Sequence, residues 1–214
     1  MYIRNRYISG IYKAVLCLSG LIGILIQAGV FVGNVDWSVV RYYTLISNVL
    51  CCLYFGVAMV YAFAGKDTLL PWLKGMLIMG ITVTGLVYHF MLSKGSFSMG
   101  SAKEVANILL HYLVPVLSVF DWVLFDKKGR YTLKSPLIWV ILPDLYFVFA
   151  TIYGFAGGQR YYGGSRFPYF FIDFDALGVW KVLAYTAVLN VLFAALGYVF
   201  YLADRVVGKK KAAH

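Results

Sequence analysis

Long apolar runs, separated by short polar loops, fill almost the whole chain. A membrane-spanning helix needs roughly 20 mostly apolar residues. Six stretches meet that length: about Tyr12 to Gly33, Tyr42 to Ala64, Lys74 to Leu92, Val105 to Phe125, Pro136 to Phe155 and Gly178 to Ala203. The pattern predicts an all-α polytopic membrane protein, one domain over residues 1–214 with six transmembrane helices. Lys and Arg in short loops set the orientation of such a bundle. With the N-terminus in the cytoplasm, 13 of the 19 basic residues fall on the inner side and 6 on the outer. Both termini are therefore expected in the cytoplasm. The loop Asp126-Lys-Lys-Gly-Arg130 is the strongest single anchor.

Composition narrows the class. The chain has 214 residues, 62% hydrophobic and 13% charged, whereas a soluble domain averages roughly 45–50% apolar and about 25% charged. The formal charge of +10 invites a nucleic-acid reading. The basic residues sit in loops between apolar runs, so topology accounts for them and no nucleic-acid partner is expected. Cys17, Cys51 and Cys52 lie inside apolar runs with no CxxC or Cys/His spacing. They read as small buried hydrophobes, and neither a metal nor a cofactor is expected. Met1 to Lys13 is basic, but the run after it is long enough to span, which argues against a cleaved signal.

Candidate chemistry lies where polar groups interrupt the apolar runs. Polar side chains in hydrocarbon are costly and mark sites by default. Thr44 opens the second helix, with Ser47 and Asn48 one turn deeper. The fourth helix puts His111 about 9 Å below its outer end, and the third puts His89 roughly 5 Å below its own. A hydroxyl becomes a useful nucleophile when a base within about 3 Å takes its proton, and neutral imidazole is suited to that. Thr44 as nucleophile, His111 as base and Asn48 as oxyanion donor fill the three roles, with Ser47 and His89 in support. His89 is also open as the base itself or as a packing residue. The bland alternative has Thr44 bonded to a carbonyl of its own helix and His111 joining helices. Pro115 lacks the N–H that would meet the His111 carbonyl and so frees it. Arg41, one turn above Thr44, is either a binder of lipid carboxylate or phosphate or an interface residue.

The carboxylates divide. Asp144, after Pro143 in mid-helix, is expected to pair with a tyrosine or a freed carbonyl. Asp121 is expected to pair with loop lysines or cap a helix, and Asp173 and Asp175 to pair with Arg160 or Arg166. The loop from Gly157 to Asp175 is rich in aromatics and glycine. It reads as an interfacial belt, or as a lid over a lipid cleft.

At several of these motifs the chain resembles a known family. Tyr42-Tyr-Thr-Leu-Ile-Ser-Asn48, Gly85-Leu-Val-Tyr-His89, His111-Tyr-Leu-Val-Pro115 with Asp121-Trp122, and Phe167-Pro-Tyr-Phe-Phe-Ile-Asp173 look like the bacterial Pr6Pr family of six-helix membrane proteins. That family is more distantly similar to the androgen-induced protein group, intramembrane hydrolases of fatty acid esters of hydroxy fatty acids. The resemblance implies a threonine nucleophile at Thr44 and a histidine partner at His111. It also implies a multi-pass protein of the bacterial inner membrane whose partner is a membrane lipid or fatty-acid-derived ligand. Arg41, Tyr88, Tyr112 and Pro115 are the candidates for substrate contact. The competing expectation is a binding protein without chemistry, like the substrate-capture subunit of a vitamin transporter.

Overall fold

The computed structural model describes residues 2–93, 101–161 and 163–212. Tyr162, in the aromatic loop, lies outside the described residues. Among the described residues there is no strand, and six helices are long and apolar enough to cross a membrane: α1 Arg6–Gln27, α2 Tyr43–Phe63, α3 Pro71–Leu92, α4 Ala102–Phe125, α5 Ser135–Phe155 and α6 Phe174–Gly208. The protein is an all-α, multi-pass membrane protein. The start of α1, the end of α6 and the loops after α2 and α4 lie on one face, the termini face. The loops after α1 and α5 lie on the far face, with the end of α3 and the start of α4.

Local chemistry sets the ends. α1 begins at Arg6 rather than Tyr12 because Asn5 Oδ1 accepts from the amides of Tyr7 (2.9 Å) and Ile8 (3.1 Å), an N-cap that starts a helix ahead of its apolar run. It ends at Gln27 rather than Gly33 because Gly29 turns left-handed at φ 77°. Pro71 starts α3, and Ser101 Oγ accepts from the Glu104 amide at 3.3 Å at the start of α4.

Two pieces of helix are wound as π-helix: Tyr88–Leu92 at the end of α3 and Leu109–Leu113 within α4. A π turn accommodates one additional residue and re-aims the side chains around it. Both segments lie at the candidate site.

On the termini face, four charged side chains are buried together. Lys13 Nζ lies 2.8 Å from Asp121 Oδ1, and Lys74 Nζ bridges Asp121 Oδ2 (2.5 Å) and Asp126 Oδ1 (2.6 Å). Asp121 thus pairs with lysines carried by α1 and α3, not by loops. The knot ties α1, α3 and α4 at one end. The α1–α2 seam is narrow: a Cβ on Gly20 would lie 2.5 Å from Cys52 Sγ. Cys17 and Cys52 are free thiols, each donating to the other's carbonyl, at 3.3 and 3.5 Å.

α6 stands at the edge of the bundle. Gly178 (φ 71°) breaks its helical path after a first turn that Asp173 Oδ1 caps. Below that point α6 is buried at Val182, then again only near the termini face at Gly197, Phe200, Tyr201 and Asp204.

Candidate functional site

The site starts at the first turn of α2. No side chain of its own caps this helix. Instead the Tyr43 amide donates to the Tyr169 phenol oxygen at 3.1 Å, so the loop before α6 folds over the helix end. Burial pushes the Tyr169 phenol up to about 12, opposed by hydrogen bonds to the side chain and amide of Thr44. The loop is therefore part of the site and more than an interfacial belt.

Thr44, the second residue of α2, is 9% exposed. Its Oγ1 lies 3.1 Å from Nε2 of His111 on α4. The other imidazole nitrogen, Nδ1, lies 3.2 Å from the Asn107 carbonyl oxygen, one turn back. A carbonyl can only accept, so Nδ1 carries the proton and Nε2 presents its lone pair to the Thr44 hydroxyl; the tautomer is assigned from these partners. Tyr88 covers the ring, its centroid 3.8 Å away and the planes 19° apart. The backbone fits as closely: a Cβ on Gly85 would lie 2.7 Å from the His111 carbonyl oxygen and 3.4 Å from the Pro115 ring. This is the carbonyl that Pro115 leaves without its α-helical donor.

The supporting residues sort differently from the expectation. Asn48, fully buried, spends both amide protons on backbone carbonyls: Thr44 at 2.8 Å and Leu110 at 3.2 Å. It clamps α2 to α4 below the pair and has no proton left for an oxyanion. Ser47 Oγ lies 3.1 Å from the Thr44 carbonyl oxygen and 2.8 Å from Thr84 Oγ1, tying the same turn to α3. His89 is exposed, and its Nδ1 lies 3.3 Å from the Tyr112 hydroxyl. It belongs to a pairing separate from Thr44.

The four candidates for substrate contact also serve elsewhere. Arg41 is consumed by the fold: its guanidinium donates to Ser38 O (2.9 Å), the Tyr153 hydroxyl (2.7 Å) and Gln159 O (2.8 Å), and lies over the rings of Tyr153 and Tyr161. It clasps two loops of the far face together. Tyr88 and Pro115 hold His111, and Tyr112 holds His89.

What a ligand would meet is a cleft between α2, α3, α5 and α6, roofed by Tyr169, Phe171 and Ile172. Its walls are mainly apolar, with Val83, Val87, Leu92, Phe147, Leu189 and Phe193. Thr44 lines it and His111 does not. The hydroxyl therefore stands between the cleft and the imidazole behind it. Asp144, Thr186 and Asn190 are the polar groups lining the walls away from Thr44 and Thr84. Among the described residues, the Asp144 side chain has neither the tyrosine nor the carbonyl partner expected for it. Arg166 and Asp175 do pair, as expected.

Sequence reasoning missed Thr84 and Asn107, and singled out Tyr169 only as part of an aromatic loop. Asn107 could have been found by its spacing, four residues before His111 on the same helix. Thr84 carries no local signal. Among the described residues, no three His, Cys, Asp or Glu side chains converge as a metal site would require. No protein-family model, curated protein or solved structure matches this chain.

Proposed function

We propose that the protein is an intramembrane hydrolase of lipid esters, with Thr44 as nucleophile and His111 as its base. The supporting observation is the contact of 3.1 Å between Thr44 Oγ1 and a bare His111 Nε2, at the wall of a mainly apolar cleft. Thr44 Oγ attacks the ester carbonyl carbon as its proton passes to Nε2. The tetrahedral intermediate collapses, the carbon–oxygen bond to the alcohol breaks, and His111 returns the proton to that alcohol. Water, deprotonated by the same nitrogen, then attacks the acyl-threonine; the carbon–oxygen bond to Thr44 breaks, His111 returns the proton to Thr44 Oγ, and the fatty acid leaves.

The charge that develops on the ester oxygen falls beside the first turn of α2, where the helix dipole favours an anion. The Tyr169 phenol lines the cleft there and is the donor assigned to it. The imidazolium formed in passing is held by the Asn107 carbonyl and faces the Tyr88 ring. No carboxylate is needed as the third member.

In this reading the protein resides in the bacterial inner membrane with its termini in the cytoplasm, and the cleft takes a membrane lipid or fatty-acid-derived ligand from the outer leaflet. The test is release of hydroxy fatty acid from a branched fatty acid ester by purified wild type, Thr44→Ala, Thr44→Ser and His111→Ala. Turnover is expected in wild type, reduced in Thr44→Ser and lost in both alanine variants. Equal release by wild type and the alanine variants would leave Thr44 and His111 as a structural link between α2 and α4.

A further inference from the structure

The cleft holds more polarity than an acyl chain can use. Asp144 lies nine residues along α5 from Ser135, about 14 Å into the span. Asn190 lies on α6, about 18 Å below Gly178 by the same rise. Both line the cleft, both are half-buried, and neither side chain makes a hydrogen bond or ion pair to another described residue. Thr186, one turn above Asn190, donates to the Val182 carbonyl at 2.9 Å and so presents an oxygen that can only accept. Unpartnered polar groups at this depth are costly and mark a ligand contact. A plain hydrocarbon tail against them would leave the cost in place.

The three groups also specify what they would hold. A carboxyl group accepts a hydrogen bond in either protonation state, an amide both donates and accepts, and the threonine oxygen accepts. That set suits an uncharged hydroxyl. A carboxylate or phosphate would face Asp144 with no cation among the cleft-lining residues. Position limits the ligand further. Asp144, Thr186 and Asn190 line the same cleft as Thr44. The hydroxyl is therefore held in the cavity that would hold the ester.

We propose that Asp144 and Asn190 form a hydroxyl-binding subsite, so that the cleft's ligand is an acyl ester whose alcohol part keeps a free hydroxyl, a partially acylated polyol. The word ester rests on the proposed function; the hydroxyl contact does not. The test is therefore binding, in the Thr44→Ala background, where hydrolysis cannot confuse it. The probes are a monoacylglycerol, the methyl ester of the same acid and the alkylammonium of the same chain length, each titrated by calorimetry into protein in nanodiscs. Monoacylglycerol is expected to bind at least tenfold tighter than the methyl ester. Asp144→Leu or Asn190→Leu is expected to bring the two within about twofold, while Asp144→Asn, which keeps an acceptor, retains most of the preference. Equal binding of the first two probes before any wall substitution overturns the proposal, and this comparison needs no wall variant to fold. So does a preference that survives both leucine variants, or tightest binding of the alkylammonium, which would make the site a cation site. Loss of ester turnover in otherwise wild-type protein, with the binding preference intact, would sink the hydrolase and leave the subsite standing.

Discussion

Gly85→Ala tests the geometry of the site without touching a reacting atom. The added methyl carbon would start 2.7 Å from the His111 carbonyl oxygen, and ordinary contact begins at 3.4 Å. The obstacle is backbone, with Pro115 beside it, so no flexible side chain can swing away. α3 and α4 have to separate by about 0.7 Å, or His111 has to move by that amount, before the contact relaxes. Overpacking of this kind costs about 1–3 kcal/mol. For a chain of this size that corresponds to a fall in Tm of roughly 2–12 °C. A displacement approaching 1 Å near reacting groups costs up to about a hundredfold in rate. The expected result is a modest drop in thermal unfolding temperature in detergent, together with a ten- to hundredfold loss of kcat on a lipid ester and a much smaller change in KM. A variant with wild-type melting and wild-type turnover would refute the claim that Gly85 sets the position of His111.

Three further outcomes follow from other contacts. Gly56→Ala is expected to stabilise by about 0.5–1 kcal/mol, seen as a higher unfolding temperature, because its methyl would meet nothing closer than Cys17 Sγ at 3.6 Å. Asp121→Leu should lower stability by about 3–5 kcal/mol, read by thermal unfolding, because buried Lys13 and Lys74 would lose the carboxylate between them. Tyr169→Phe removes the acceptor of the Tyr43 amide and is expected to cost about 1 kcal/mol in stability while lowering ester turnover more than that loss explains; unchanged kcat would separate the roof from the chemistry.

The apolar runs made the six helices legible, because a span is a statement about composition and length. Their ends were less so. α1 is displaced toward the N-terminus by one asparagine and one glycine, which act through hydrogen bonds and φ and not through hydropathy. The depth of Thr44 and His111 could be worked out from helix rise alone, and both side chains meet there. Their company could not. The π turns at Tyr88–Leu92 and Leu109–Leu113 leave no mark on an unbroken apolar run except Pro115, yet they accompany the separation of His111 from His89. Arg41, Asn48 and Tyr169 took roles set by loops and carbonyls brought in from distant parts of the chain, which no local pattern encodes. Asp144 looked like a residue in need of a protein partner, and the fold supplies a cavity in place of one.

The sixth helix has a kinetic consequence. Anchored near its ends and loosely covered between, it gives the cleft a wall bordered by bilayer. Under the proposed function, a lipid ester dissolved among the tails would approach Thr44 sideways, without its chains passing through water. Its saturation is then governed by mole fraction in the membrane plane. Diluting the ligand with inert lipid should slow occupancy, while adding buffer should change nothing.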